Sequence, residues 1–579
     1  MSIKLSDEQK VYVQTPGKVI LNACPGSGKT TTVVHKIYSL IQNWENSYSI
    51  NAGIACLSFT NVAKNEIAEK FREINGFSLP YPHLISTIDS FINTFITLPF
   101  AHKINDIGKR YRIIDDISYL DRIFQSNWQL MKTFKNHLFS FSPSKIDYTI
   151  NNSYSWDGHC KSGDVEFVKY AKTIKTMQIK MGLLKTSDSA FFAYHILKKY
   201  PRLGKYLGAK FPYLIIDEAQ DTSEIQHSIL EMLYNEGLKN IDLVGDPYQC
   251  LYQWRDASPE LFLQKFDDRV NWKGIYLTEN RRSTKKIIDV FSVFRRISEK
   301  AIVPVIDTVD DLPLHIIKYD SANYEDAVGK YEKLCVENNF VSNNILVRGN
   351  TLKNSLLGKE TNFSPWNTSL PYLLIESCIH LQSNEIKEAV KKVRRIVIGL
   401  FSPDISFADL KEKELELKND KETNASIFNL IRGLPSFDLS LKDWTTQTQQ
   451  YLKTELDLET EPDFKIRKKN TAGFDKTTLD NPVNKYFKKA ITDNNIPVTT
   501  IHQVKGMTFD SVFLILSADS KGQNISLKDF VLKEAMPTEK QRLIYVAISR
   551  PRQLLCIGVP NTTTVDELIN QFSNQIIVL

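Results

Sequence analysis

What the chain lacks narrows the field first. No apolar run reaches the length of about eighteen residues that a membrane-spanning helix needs. The opening stretch MSIKLSDEQK has no apolar core of the kind a secretory leader carries. Seven cysteines stand scattered at 24, 56, 160, 250, 335, 378 and 556, with no C-x-x-C pair among them. That spacing argues against a zinc ribbon or a disulfide framework and fits a reducing, cytoplasmic setting. Internal repeats and low-complexity tracts are missing as well, so a repeat array is excluded. Charge is only mildly unbalanced, at +6 from 73 basic and 67 acidic residues. A polyanionic partner is permitted by that balance, not demanded.

What is present is an ordinary globular composition, 42% apolar and 24% charged, spread over 579 residues. That length is too great for one core and suggests about three to five domains.

The sharpest stretch is KVILNACPGSGKTTTVVHKIYSLI at 18–41. A short apolar strand runs into a glycine-rich turn, and Val33, Val34, Ile37, Leu40 and Ile41 then recur at helical spacing. Strand, glycine loop, Lys-Thr and helix together are the context a P-loop requires. Gly26 and Gly28 let backbone N–H groups curl around phosphate oxygens, and the helix N-terminus adds positive potential. The nucleotide-binding loop therefore spans Ala23, Pro25, Gly26, Ser27, Gly28, Lys29, Thr30 and Thr31. Lys29 is expected to reach the β- and γ-phosphates of ATP, and Thr30 to ligate Mg²⁺.

A second strand-like run, YLII at 213–216, ends in DEAQD at 217–221. Burying carboxylates is costly unless they are paired or hold a metal. Beside a P-loop, Asp217 reads as the Mg²⁺ ligand and Glu218 as the general base that prepares water for attack on the γ-phosphate.

Seven further segments stand around these two: LSDEQ at 5–9, LSFTNVAKNEIAEKF at 57–71, STIDSF at 86–91, LVGDPYQCLYQWRDA at 243–257, LTENRRS at 277–283, VTTIHQVKGMTFDSVFLIL at 498–516 and EKQRLIYVAISRP at 539–551. In this order, and over nearly the whole chain, the set resembles the motifs of the UvrD/Rep/PcrA-like superfamily 1 DNA helicases. The resemblance implies an α/β fold with two RecA-like P-loop NTPase domains, parallel sheets flanked by helices, and a mainly helical subdomain inserted in each. It also implies ATP hydrolysis in the cleft between the two domains and 3′→5′ movement on single-stranded DNA.

By the same resemblance Gln9 reads the adenine edge, and Gln249 couples the γ-phosphate to DNA. Arg282 and Arg550 approach the γ-phosphate from the second domain, where such fingers are worth about 10³–10⁵ in rate. Two positions depart from the family pattern. Arg281 replaces the aromatic residue that commonly stacks on adenine, a task a guanidinium performs by cation–π contact. Thr508, after Gly506 in KGMTF, replaces the usual glutamate near the nucleotide sugar. Both changes bear on nucleotide affinity rather than on hydrolysis.

Single strands are gripped by basic grooves and aromatic platforms. The resemblance places Phe59, Thr60, Asn61, Thr87, Tyr252, Trp254, Arg255, Arg348 and His502 along such a track. Asp89 stands in STIDSF where many relatives carry His; an acid beside phosphates is unfavourable, so no DNA contact is assigned to it.

The motif clusters divide the chain. The first RecA-like domain is expected at 1–100 and 206–283, interrupted by a helical insertion at 101–205. The second is expected at 284–385 and 491–579, interrupted by a reduced insertion at 386–490. With the chain ending at Leu579, no C-terminal nuclease of the kind fused to some relatives is expected.

The resulting expectation is a cytoplasmic ATP-dependent helicase or translocase, using ATP and Mg²⁺ on single-stranded or tailed DNA. The other reading is a DNA-sensing regulatory NTPase. Compact proteins of this kind resemble the helicase partner of Gabija-type antiphage systems, which work beside a separate nuclease subunit.

Overall fold

A computed structural model describes residues 5–579 except 115–116, 252–256, 307–310, 321–322, 357–364, 383–385, 402–412, 415, 418–419, 468–469, 471–473, 488–495, 520–521, 523, 532–535, 567–568 and 570–575. Two six-stranded sheets organise it, both with every strand pair parallel.

The strands of the first sheet are β1 (Lys18–Ala23), β2 (Ile54–Ser58), β3 (Leu84–Thr87), β4 (Tyr213–Asp217), β5 (Asn240–Gly245) and β6 (Lys273–Leu277), in the spatial order β6-β1-β5-β4-β2-β3. The second sheet holds β7 (Leu314–Tyr319), β8 (Asn343–Val347), β9 (Val498–Thr500), β10 (Phe509–Ile515), β11 (Pro551–Pro560) and β12 (Ile576–Val578), in the order β9-β8-β10-β11-β7-β12. The central strands β2, β4 and β5 are buried at every position. They read as mainly apolar rather than alternating, with Asp242 inside β5 the charged exception, because helices cover both faces of a parallel sheet.

Helices form where apolar residues recur at helical spacing and a cap fixes the start. Lys29–Gln42 buries Val33, Val34 and Ile37. Asn61–Asn75 starts at the Thr60 cap, whose side chain accepts from the Ala63 N–H, buries Ile67 and Phe71, and ends at the left-handed Gly76. One buried ion pair ties the P-loop helix to the sheet: Lys36 Nζ lies 2.7 Å from Asp242 on β5, with neither side chain more than 1% exposed. The Lys36 ammonium also stands 4.0 Å from the centre of the Tyr12 ring.

The α/β fold with parallel sheets expected from the sequence is the one observed. Between β3 and β4 lies a helical body whose core includes Leu120, Phe124, Phe134, Phe167, Tyr170 and Ile174. It is not wholly helical: Ile146–Tyr148, Tyr154–Trp156 and His159–Cys160 form a small antiparallel sheet. Strands of two or three residues leave no periodicity to read.

A second helical body lies between β8 and β9, around Trp366, Leu374, Ile375, Val393, Trp444 and Leu452. It takes in Trp366 and the helix Leu370–Gln382, upstream of the boundary at 386 expected from sequence. That helix is apolar on most faces, so its pattern does not say which core it joins. No helix among the described residues is long and apolar enough to cross a membrane.

Candidate nucleotide site and nucleic-acid interface

The nucleotide-site residues gather at the carboxyl ends of the first sheet's central strands, where ligands of open α/β sheets bind. β1 delivers the loop Cys24–Gly28. Gly26 and Gly28 both adopt left-handed backbone, φ +71° and +78°, and Gly28 caps the helix that begins at Lys29. A Cβ on Gly26 would stand 2.6 Å from Arg282 Cβ and 3.1 Å from Asn280 Oδ1, so only glycine fits there.

Asn280 clasps the loop from the strand-like segment Glu279–Asn280. Its Nδ2 donates to the Pro25 carbonyl at 2.7 Å, while its Oδ1 accepts from the N–H groups of Arg282 and Ser283, both at 2.8 Å. The Arg281 N–H donates to the Gly26 carbonyl at 3.0 Å. Gln9 completes a capping box with Ser6 and donates from Nε2 to the Ser27 carbonyl at 3.1 Å, which sets its amide beside the loop. Ala23, Pro25 and Ser27 are buried, and Lys29, Thr30 and Thr31 are partly exposed on the first helical turn.

β4 ends in Asp217, which pairs with Val244 of β5. Asp217 is 3% exposed, and its Oδ1 has no hydrogen-bond partner among the described residues. Burial, and next the neighbouring Glu218 charge, push its carboxyl above the usual carboxylate range.

Glu218 sits in left-handed backbone at φ +55°, a conformation that costs a non-glycine residue about 1–3 kcal/mol and recurs at functional sites. Its Oε2 accepts from Gln220 Nε2 at 2.6 Å. Burial acts to raise the Glu218 carboxyl, but Lys505 and then Lys29 hold it below the usual range. The third acid, Asp221, is 2% exposed and pairs with Lys505; burial nonetheless leaves its carboxyl raised, with Glu218 adding to the effect and Lys505 opposing it. Asp221 is thus held by a cation from the second sheet, which the reading of DEAQD as a metal-and-water cluster did not anticipate.

Mg²⁺ fits this donor set. The orphaned Asp217 Oδ1 and the Thr30 hydroxyl supply oxygen donors. No group of three His, Cys, Asp or Glu among the described residues could form an all-protein cage. One or two carboxylates with substrate phosphates is the usual arrangement for this ion.

Two arginines face this cleft, Arg282 from the segment after β6 and Arg550 from the residue before β11 of the second sheet. Arg282 donates from Nη1 to the Ser549 carbonyl at 3.0 Å. Arg550 is 1% exposed; it donates to Gln249 Oε1 at 2.9 Å, to Ser549 Oγ at 2.9 Å and, through Nε, to the Val546 carbonyl at 2.8 Å. Burial, and then the Arg550 charge, lower Arg282 to about 9; burial lowers Arg550 to about 10. A guanidinium disfavoured by burial and by a neighbouring cation, as Arg282 is, is relieved by a nearby anion.

Gln249 completes the link by donating from Nε2 to Asp246 Oδ2 at 2.8 Å, an atom that also accepts from the Tyr545 hydroxyl at 3.2 Å. The Arg281 guanidinium pairs with Glu279. Gly506 is left-handed at φ +86° and Thr508 is partly exposed.

The residues expected to meet DNA stand at the carboxyl ends of strands at one edge of each sheet. Phe59, Thr60 and Asn61 follow β2, and Thr87 ends the adjacent β3, in register with Ser58. Thr60 and Thr87 are also helix caps, accepting from Ala63 N–H and Ser90 N–H at 3.1 Å each. Arg348 follows β8 and His502 follows β9, whose Val347 and Thr500 are paired. Burial, then Arg348, then Lys505 lower the His502 imidazole to about 4, so it stands neutral beside those two cations. Asp89 accepts from Gln226 Nε2 at 2.9 Å. Tyr252, Trp254 and Arg255 lie outside the described residues.

Sequence reasoning missed Asn280, Gln220 and Lys505. Each lies inside a quoted motif, but its partner is distant in sequence or hidden in a turn.

A glycine loop and an acid-ended strand in one parallel sheet, faced by Arg282 from the segment between the sheets and Arg550 from the other sheet, define a two-domain nucleoside triphosphatase. Family comparison makes this specific. The UvrD/REP helicase N-terminal domain matches residues 5–270 and the UvrD-like helicase C-terminal domain matches 474–562, together more than half the chain. The chain belongs to the UvrD/REP helicase family, and the ATP-hydrolysing helicase class expected from sequence is the class of that family.

Among similar proteins is the ATP-dependent DNA helicase PcrA of Staphylococcus epidermidis, 24% identical over 96% of this chain and 83% of its own. Gabija protein GajB of Bacillus cereus is 24% identical over 89% of each. A probable DNA helicase II homolog of Mycoplasma capricolum is 29% identical over 50% of this chain and 40% of its own.

Proposed function

We propose that the chain is a motor that couples ATP hydrolysis to 3′→5′ movement along single-stranded DNA. The observation that carries this reading is the Arg550–Gln249–Asp246 chain of hydrogen bonds. It joins a second-sheet arginine to the end of β5, beside the P-loop. A change at the nucleotide is thereby felt between the two sheets, which also carry the two halves of the expected DNA track.

In the proposed reaction Gly26, Gly28 and Lys29 seat the phosphates of ATP, and Thr30 and Asp217 would hold Mg²⁺, which would supply positive charge against the phosphates. Glu218 takes a proton from water as the water oxygen bonds to the γ-phosphorus. The bond from the γ-phosphorus to the β–γ bridging oxygen breaks, giving ADP and inorganic phosphate. Arg282 and Arg550 stabilise the charge that develops on the transferred group. Gln9 and Arg281 orient the base, and Thr508 stands near the sugar. Phe59, Thr60, Asn61, Thr87, Arg348 and His502, with Tyr252, Trp254 and Arg255, form the DNA track.

The likeness in length and coverage to GajB supports a separate nuclease subunit as a further partner. The motor is preferred over a purely regulatory role because the helicase family models and a relative named as an ATP-dependent DNA helicase, matched over 96% of this chain, support it. The test is ATP hydrolysis by the purified chain with and without single-stranded DNA, beside Lys29→Ala and Glu218→Gln. Stimulation by DNA that both substitutions abolish supports the motor; a folded chain whose ATPase ignores DNA overturns it.

A further inference from the structure

One cation in the cleft has no part in the reaction as written. Lys505 follows the short helical turn Ile501–Val504, which is fixed by a capping box between Thr500 and Gln503, and precedes the left-handed Gly506. Its side chain crosses to the first sheet's acids. The ammonium pairs with Asp221 and lies 3.4 Å from Glu218 Oε2. Asp221 is 2% exposed and its Oδ1 has no hydrogen-bond partner among the described residues, so Lys505 is the compensating charge for a buried carboxylate. Glu218 is fixed from the other side by Gln220 at 2.6 Å.

On the same short segment Lys505 also stands near Arg348 and the neutral His502, at the ends of β8 and β9. Two cations, Arg348 and Lys505, beside the uncharged His502 imidazole at strand carboxyl ends favour an anion. Lys505 therefore stands between two demands for its charge, the acids that prepare water and an anion arriving at the cluster.

We propose that Lys505 is a positioning residue that restrains Glu218 until a phosphate of single-stranded DNA reaches His502 and Arg348 and draws the ammonium away. The proposal rests on the DNA-dependent motor reading and names the device that makes hydrolysis wait for DNA. With the ammonium beside it, Glu218 is held away from water by a competing partner. With the ammonium drawn to a DNA phosphate, Glu218 keeps its hydrogen bond from Gln220 and the weaker influence of Lys29, and accepts the water proton.

Two substitutions push the device in opposite directions. Lys505→Met keeps the length and removes the charge. Its ATPase rate without DNA should rise roughly five- to tenfold, and the ratio of DNA-stimulated to unstimulated kcat should fall by the same factor. Asp221→Asn leaves Lys505 with Glu218 as its acid, so the unstimulated rate should fall and the ratio should grow. Lys505→Arg should keep the wild-type ratio. Throughout, KM for ATP and the affinity for a fluorescent ADP analogue should change little, and single-strand affinity of Lys505→Met should weaken by no more than one phosphate contact.

Equal loss of stimulated and unstimulated rates in Lys505→Met would make Lys505 a structural strut and overturn the proposal. An unchanged ratio in that variant would overturn it as well. If Lys505→Met fails to fold, Asp221→Asn decides alone: a ratio that does not grow sinks the idea. Wild-type hydrolysis that ignores DNA would sink the motor reading, and this proposal with it. DNA-stimulated wild type with unshifted variants sinks only the proposal.

Discussion

Replacing Gly26 by alanine tests whether the P-loop and the Asn280–Arg282 segment are packed as one unit. Three left-handed glycines provide a graded series. Gly76, at φ +83°, has nothing within 4 Å of a Cβ built on it, so Gly76→Ala meets backbone strain alone, about 1–2 kcal/mol. Gly28, at φ +78°, would bring its Cβ to 3.2 Å from Gln9 Nε2, the movable end of a side chain, which adds little. Gly26, at φ +71°, would press its Cβ to 2.6 Å from Arg282 Cβ and 3.2 Å from the Arg282 backbone nitrogen. Those atoms are pinned by Asn280 and by the Arg281–Gly26 backbone bond. Strain and overpacking together should cost about 2–5 kcal/mol.

Thermal unfolding of the three variants should therefore rank Gly76→Ala as the mildest and Gly26→Ala as the most severe. Each kcal/mol lowers Tm by about 2–4 °C in a domain of this size class. Gly26→Ala should also lose ATP hydrolysis, because Arg282 is displaced. A Gly26→Ala variant as stable as Gly76→Ala would refute the packing argument.

Other outcomes follow from single contacts. Arg550→Lys loses the fork that reaches Gln249 and Ser549 together, so kcat for ATP should fall by about 10³ or more while affinity for a fluorescent ADP analogue changes little. Lys36→Met leaves Asp242 charged and buried, which should cost about 3–5 kcal/mol in thermal denaturation; adding Asp242→Leu should recover most of it. Burial, with Lys265 second, holds the His227 imidazole down to about 3, below its ordinary value. A base depressed on folding contributes stability that is full above about pH 6.5 and is lost as pH falls toward 3. The urea midpoint should accordingly drop with acid in the wild type and drop less in His227→Leu. Arg348→Ala should lower single-strand affinity and reduce the salt slope by about 0.7, the share of one phosphate.

Much of this was legible in the sequence, for a physical reason. Parallel strands buried on both faces appear as mainly apolar runs, and β1, β4 and β5 each end in the residues their sites require: the glycine loop, Asp217 and the segment leading to Gln249. Partner choice was not legible. Lys505 and Asp221 are 284 positions apart, and only the approach of the two sheets joins them. Asn280 could be read as one letter of ENRRS, but its two-sided clasp needs the P-loop to have folded against it. Gln220 reaches Glu218 only because Glu218 turns into left-handed backbone, which no local propensity of glutamate announces. The helix Leu370–Gln382 shows the same limit at the level of domains, since an apolar helix joins whichever core the chain brings to it.

The central claim is directional movement on DNA driven by ATP. Its most direct test is displacement of streptavidin from single-stranded oligonucleotides biotinylated at one end, in the presence of ATP and Mg²⁺. The account predicts rapid displacement from the 5′ end, slow displacement from the 3′ end, and neither with Glu218→Gln. Displacement from the 3′ end alone, or from neither end by a folded and DNA-bound chain, would contradict it.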